Sequence, residues 1–512
     1  MATVSEPWSA RSWWPCKDDP NDRAMTTVTI RAPLGMVGVS NGKLTLRSGN
    51  TTQWFQVNPV PTYLVSIAVG DYVELADQYD GPAGRIDLRH WVYPGEEDDV
   101  REDMSVLPGM LDFCASLLGP YPFAGQPFGI AEVPWDEAME HPTAVTWGDV
   151  LVTGTHQFDT VLMHELAHMW FGNLVSPVDW THIWLNEGFA TYFEALWAEH
   201  VHGQTGLISF MNSHSWGLGY GTDTLIRNPS SSWPPYYFRA IAYHKGAWVL
   251  HMLRRELGDE DFFAALRHYI ERADLRWGNA ESADFQASCE AVSGRDLSIF
   301  FDQWLTRTTY PVLRVDWQNN WQEGANEVRV RVRQEQDPEP DGSQPAYSFP
   351  LDVQMRGAGL DTTVTLIVYR LDQEFVVPLP ATISNVDIDP QRWLLHDDAA
   401  DVLNKSGRNV AAAPVRLLPA TPNPFNPRTV FMWETEVATS DEVEIFDVMG
   451  RRLLHRQWGE RTAGRREFLW TGTDDTGREA PSGIYLYRVT TRGQAEAGPF
   501  QRRLHGKVTL AR

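Results

Sequence analysis

At 512 residues the chain is longer than one hydrophobic core can organise, and roughly two to four domains are expected. Hydrophobic residues at 43%, 22 tryptophans and a mean hydropathy of -0.34 exclude a disordered or membrane-embedded chain. With 43 Lys and Arg against 67 Asp and Glu, the formal charge of -24 disfavours nucleic acid and anionic membranes as partners.

Along the chain, residues 1–77 read as strands: TTVTIRAPLG, GKLTLRS and TYLVSIAVGDYVEL alternate or cluster β-formers between Gly, Pro and Asn turns. Helical periodicity then predicts helices over residues 97–118 and 156–174, with further helical segments through Glu194, Leu250 and Phe300. After Leu305 the pattern returns to period two in YPVLRVDW, NEVRVRVRQ, SFPLDVQMR, DTTVTLIVYRL and QEFVVPLP, the pattern of a small β-sandwich. NKSGRNVAAAP has linker composition, and a second β-unit follows with VFMWETE, VEIFDVMG and GIYLYRVTT. Residues 401–512 carry 17 Lys and Arg against 13 Asp and Glu, so the acidic excess lies wholly upstream of a separate tail.

Three cysteines, Cys16, Cys114 and Cys289, allow one disulfide at most and leave the compartment open. No window reaches the roughly 18 apolar residues of a transmembrane helix. The first residues, MATVSEPWSARSW, lack an apolar signal core.

The chemistry is concentrated in VLMHELAHMWFGNLV, which contains H-E-x-x-H. His164 and His168 stand four apart, on one face of a helix, where both imidazoles reach one ion. Zinc suits two imidazoles, and a catalytic zinc needs a third protein ligand beside an open position for water. Glu187, in WLNEGFATYFE on the next helix, supplies it. Glu165 is displaced by one residue, so it sits beside the metal as general base.

HELAHMWFGNLV, with 18 residues between its second histidine and the Glu of WLNEGFATYFE, resembles the aminopeptidase N and leukotriene hydrolase family of gluzincins. ARSWWPCKDDPNDRA with VGVSNG is similar to the end of that family's N-terminal β-domain, and DLSIFFDQWLTRTTYPVLRV to the passage from its catalytic domain into a β-sandwich. The resemblance covers residues 10 to about 395 and implies one Zn2+ per chain and peptide substrates with a free N-terminus. EAMEH, residues 137–141, resembles the family's G-A-M-E-N: Glu140 is then the amine anchor, and the backbone of Glu137, Ala138 and Met139 runs along the peptide. Two residues depart from that pattern, Glu137 for Gly and His141 for Asn. A side chain at 137 narrows the site, and with the acidic charge it implies a preference for basic first residues. AYHKGAWVLHML resembles the Y-x-K-G-A helix, which makes Tyr243 the donor to the oxyanion.

The expected architecture is multi-domain α+β. A partial N-terminal β-domain (1–77) precedes a thermolysin-like zincin catalytic domain (78–308), a β-sandwich (309–398), a linker (399–415) and a C-terminal Ig-like β-sandwich (416–512). TPNPFNPRTVFMWE, VEIFDVMGRRL and FLWTGTDDTGREAPSGIYLYRV resemble the C-terminal domains that sort proteins for type IX secretion, which implies a secreted or cell-surface bacterial protein and secretion machinery as a partner. The expectation is that the signal peptide is absent through truncation at the N-terminus. A thermolysin-type endopeptidase and an inactive binding protein on the same scaffold are the competing readings.

Overall fold

The computed structural model describes the chain except residues 83, 216–223, 227–238, 323–324, 358, 399–402, 405–414, 424, 436, 448–450, 496–497 and 512. It divides into two compact units, the first built mainly from Met1–Met211 and Ile241–Arg307, the second mainly from Thr308–Arg512.

The first unit opens with β1 (Arg23–Arg31), β2 (Val37–Ser40), β3 (Lys43–Ser48), β4 (Thr51–Pro61) and β5 (Ile67–Gly70). β1, β4 and β3 form one antiparallel sheet, and β2 pairs with β5. The segment expected as one strand through residues 62–75 instead starts with a 3-10 turn, Thr62–Leu64, which buries Thr62, Tyr63 and Leu64.

β6 (Val73–Gly81), β7 (Gly84–Val92), β8 (Ile130–Val133), β9 (Ala138–Met139) and β10 (Val145–Gly148) make a five-stranded sheet ordered β6-β7-β8-β10-β9. The expected domain boundary at 77/78 cuts through β6, so this second sheet already begins at Val73. Local alternation could not separate the sheets, because the two layers share a core: Val39, Trp54 and Ala68 pack with Trp91, Ala131, Val133 and Ala144. The Trp54 and Trp91 rings meet edge to face at 5.3 Å.

Among the described residues the α-helices are α1 (Glu97–Asp103), α2 (Leu107–Leu118), α3 (Asp159–Ala167), α4 (Trp184–His214), α5 (Gly246–Leu257), α6 (Asp259–Glu271), α7 (Ser282–Ser293) and α8 (Ser298–Thr306). The helix expected over 156–174 ends at Ala167 because the chain turns back after His168 through Gly172, whose φ of +120° disfavours any side chain. An aromatic core holds the turn against α4, α6 and α7: Phe171 lies 4.6 Å from Phe189, and Phe189 4.9 Å from Phe285. Cys114 and Cys289 are buried, and all three cysteines are free. Among the described residues no helix is long and apolar enough to cross a membrane.

In the second unit, Val312–Gln322 pairs with Ala325–Gln334, which pairs with Asp372–Pro378; a second sheet orders Leu360–Val368, Phe349–Gly357 and Asn385–Ile388. The period-two pattern is expressed directly: Phe349, Leu351, Val353 and Met355 are buried on one face. Most of the expected linker, 399–415, lies outside the described residues. Within it Leu403–Asn404 pairs in parallel with Asp316–Trp317, and the last β-unit begins at Val415. That unit has a three-stranded and a four-stranded sheet around Phe425, Phe431, Trp433, Trp470, Tyr485 and Tyr487.

Candidate active site

His164 and His168 project from the C-terminal end of α3, and Glu187 from the first turn of α4. The ligand atoms of the three lie within 4.8 Å of one another, all buried. Each imidazole is oriented from behind through Nδ1: His164 against Glu194 Oε1 at 2.8 Å, His168 against the Phe171 carbonyl at 2.9 Å. With Nδ1 committed as donor, Nε2 is left to face inward. Both Nε2 atoms converge on Glu187 Oε2, at 3.3 and 3.4 Å. Ligand bonds of about 2.0–2.1 Å in a tetrahedron put neighbouring ligands about 3.3 Å apart, so this donor set fits zinc in type and spacing.

The charges say the same. Burial would lower the His164 pKa, but hydrogen bonds to Glu187 and Glu194 outweigh it and raise it well above the ordinary value. His168 is likewise pushed up to about 8 against its burial, chiefly by the Glu187 and Glu140 charges. Burial alone would raise Glu187, yet the charge of His168 and the hydrogen bonds from both histidines hold it well below the carboxylate range. The site is a built demand for positive charge.

Glu165 is 5% exposed, and its Oε2 has no hydrogen-bond partner among the described residues. Burial, only partly offset by the two histidines, pushes its pKa up to about 8. An unengaged carboxylate oxygen beside a metal site is suited to take a proton and return it.

Tyr243 lies in the π-helical segment Arg239–Lys245 that runs into α5. Its ring stacks on His164 at 5.6 Å with planes only 6° apart. Two glycines permit this: a Cβ on Gly188 of α4 would come 2.8 Å from the Cα of Gly246, so only hydrogen at both positions lets the two helices approach this closely.

Ala138 and Met139 form the edge strand β9, with Met139 opposite Thr146 and Ala138 opposite Trp147. Glu137 is half-buried, and its carbonyl accepts from Gly148 N at 2.9 Å. Glu140 is buried beside the metal group, and burial, reinforced by Glu187 and opposed by His168, raises its pKa. His141 places Nδ1 2.7 Å from Thr146 Oγ1, and burial pushes its pKa down to about 3, so the ring is neutral at working pH.

Four residues that motif reading passed over belong here. Glu6, from the first residues of the chain, brings its carboxylate within 4.8 Å of those of Glu140 and Glu187. Tyr63 bonds Glu140, and Asn173 Nδ2 donates to the Glu140 carbonyl at 2.8 Å. Glu194, the orienter of His164, stands seven residues after Glu187 on the same helix, a two-turn spacing that could have revealed it. For Glu6 and Tyr63 no spacing signal exists, since one precedes the first strand, the other lies in the 3-10 turn Thr62–Leu64, and both meet the metal group only through tertiary packing.

Two imidazoles, one carboxylate and an adjacent unengaged carboxylate have the composition and spacing of a mononuclear zincin-type metal site. Comparison with known proteins agrees. Residues 136–304 match the Peptidase family M1 domain, residues 1–64 the Peptidase M1 N-terminal domain and residues 425–495 the FlgD Ig-like domain. The chain is 31% identical to Aminopeptidase M1 of Arabidopsis thaliana, over 61% of this chain and 37% of that protein, and 27% identical to Leucyl aminopeptidase of Saccharolobus solfataricus, over 62% and 42%. An M1 zinc metallopeptidase mutant from Deinococcus radiodurans, solved with a Tyr-Ser-Ala substrate, superposes with a TM-score of 0.51 at 27% identity over 60% of this chain and 70% of that one. Aminopeptidase A of Legionella pneumophila, solved with aspartic acid, shares the fold with a TM-score of 0.66 at 17% identity over 78% and 47%. The chain spans less than half the length of these curated relatives. Residues 1–64 and 136–304 are thus similar to the two domains of the peptidase M1 family, and the group of His164, His168 and Glu187 fits one zinc ion.

Proposed function

We propose that the protein is a zinc-dependent aminopeptidase that hydrolyses the first peptide bond of substrates with a free N-terminus. The observation that carries the reading is the gathering of Glu6, Glu140 and Glu187, three carboxylates within 4.8 Å of one another, directly beside His164 and His168. Such a concentration of negative charge favours an α-ammonium group and is poorly used in a cleft that cuts internal bonds. The names of the relatives support the same activity.

When bound by His164, His168 and Glu187, zinc polarises the scissile carbonyl and acidifies water. Glu140 and Glu6 hold the substrate amine, which fixes the scissile bond one residue away. The extended edge of Ala138 and Met139 offers backbone groups to the peptide. Glu165 removes a proton from the attacking water and passes it to the leaving nitrogen. Tyr243 donates its phenol proton as a hydrogen bond to the oxygen that gains charge.

The 512-residue chain with one equivalent of zinc is expected to release the first residue from unblocked peptides and to leave their N-acetylated counterparts intact. Mass spectrometry of the digests checks this, and internal cleavage of the acetylated peptides means an endopeptidase. Chromogenic amides of Arg, Leu and Ala in the same assay test the basic preference assigned to Glu137, and a preference for Leu or Ala removes that assignment.

The C-terminal β-unit is proposed to direct export to the cell surface or medium through a type IX-like secretion route. The order of its N-P-F-N-P start, D-x-x-G-R turn and S-G-x-Y-x-Y strand supports this, together with the Ig-like match over 425–495. Deleting residues 416–512 is expected to retain the peptidase inside the cell on fractionation, and unchanged export removes the sorting role.

A further inference from the structure

Three acidic groups gathered in one place, Glu140 and Glu187 buried and Glu6 half-buried, repel one another, and something must hold Glu140 in the direction that meets an amine. Tyr63 is placed to do so. It belongs to the 3-10 turn Thr62–Leu64 of the N-terminal β-layer and is 1% exposed. Its ring lies against Trp180 at 5.0 Å in an edge-on arrangement. Its hydroxyl stands 3.3 Å from Glu140 Oε1 and 3.3 Å from Asn186 Nδ2.

The direction of these bonds follows from the proton count. A phenol has one proton and an oxygen that accepts. Asn186 Nδ2 can only donate, so it occupies the acceptor side, and the single phenol proton is left for Glu140. Burial, and then the charges of Glu140, Glu6 and Glu187, raise the Tyr63 pKa well above the ordinary tyrosine value, so the proton stays on the phenol. Asn186 adjoins the metal ligand Glu187, which couples this bond to the end of α4.

The main chain of the same residue is held separately. Asn173 Nδ2 donates to the Glu140 carbonyl at 2.8 Å, and Arg23 Nη2 donates to the Asn173 carbonyl at 2.6 Å. Arg23 also donates to the carbonyls of Pro59 and Gly278, pinning β1 to β4 and to the loop before α7. Nearby, Asn41 Nδ2 donates to the Pro142 carbonyl at 3.1 Å and Gly42 N to Thr143 Oγ1 at 2.6 Å. The β-layer therefore grips residues 140–143 at several points, but only Tyr63 among these contacts touches the Glu140 carboxylate.

We infer that Tyr63 is a positioning residue for amine recognition: its hydroxyl, directed by Asn186, donates to Glu140 and aims that carboxylate at the α-ammonium group of the substrate. This rests on the aminopeptidase reading and adds to it that the N-terminal β-layer sets the affinity for the substrate amine. A tyrosine buried only to fill space would contribute its ring, which Tyr63→Phe retains.

The test compares two ligands of the zinc-loaded full chain, phenylalaninamide and 3-phenylpropanamide, which differ by the amine alone. Inhibition constants are measured for wild type, Tyr63→Phe, Glu140→Gln and the double variant, with zinc content and melting temperature as controls. Loss of a hydrogen bond to a charged group predicts about tenfold weaker binding of phenylalaninamide in Tyr63→Phe. Binding of 3-phenylpropanamide is expected to stay unchanged, kcat for a phenylalanine anilide to stay within about threefold, and zinc to remain bound. In the Glu140→Gln background the same substitution should cost less than about twofold, because the coupled partner is already altered. Asn186→Ala should reproduce the ligand selectivity at smaller size and serves if Tyr63→Phe does not fold. Equal weakening of both ligands, or the full loss persisting in Glu140→Gln, overturns the inference. A wild type that binds the two ligands equally overturns the aminopeptidase reading itself, which is a distinct result.

Discussion

Glu165→Gln is expected to abolish turnover while one zinc per chain stays bound. Glutamine keeps the shape and the polarity of the side chain but cannot take a proton from water or return one to the leaving nitrogen. General acid–base catalysis contributes about 10²–10⁴ in rate, and because the proposed cycle uses Glu165 in both halves of the reaction the loss in kcat should be about 10³ or more. Zinc retention follows from the geometry. Glu165 stands outside the group of His164, His168 and Glu187, and its Oε2 makes no hydrogen bond among the described residues that a ligand depends on. Metal analysis beside amide hydrolysis checks both halves, and a zinc-loaded variant with substantial activity would leave the site without its proposed base.

The second large effect is expected at the metal ligands. Glu187→Ala removes the oxygen on which both imidazoles converge at 3.3 and 3.4 Å and should yield protein that loses zinc on dialysis and releases no amino acid. Glu194→Gln tests the layer behind. It preserves an acceptor for His164 Nδ1 but removes the charge 2.8 Å away, and a loss of about 10- to 100-fold in zinc affinity is expected, with activity restored by excess metal. The ordering matters more than the sizes. A competition titration with a fluorescent chelator measures both, and equal losses in the two variants would mean that Glu194 binds the ion itself or that Glu187 does not.

How much of this was visible in the sequence depended on distance along the chain. His164, Glu165 and His168 fall within five residues, and helical geometry alone places the two histidines together. Glu187 lies on the next helix, in the segment WLNEGFATYFE, so the candidate metal group was open to inspection without coordinates. Tyr243 is further away, and resemblance to the Y-x-K-G-A helix was needed; the reason it reaches His164 is the contact of Gly188 with Gly246, which no local pattern announces. Helix ends were less legible. The apolar periodicity of residues 156–174 persists past Ala167, but the chain leaves the helix so that the Phe171 carbonyl can orient His168.

The sequence by itself determined the pairing of His164 with His168, because the two sit at helical spacing and helical spacing is a local property, and the WLNEGFATYFE segment marked Glu187 as the third candidate ligand. Only the tertiary structure decided what surrounds that centre. Glu6 and Tyr63 reach Glu140 from more than 70 residues away, and Arg23 reaches Gly278 across 255 residues. Those contacts arise from the packing of the N-terminal layer on the second sheet, through a core shared by Trp54 and Trp91 and the contact of Tyr63 with Trp180, and such packing leaves no periodic trace along the chain.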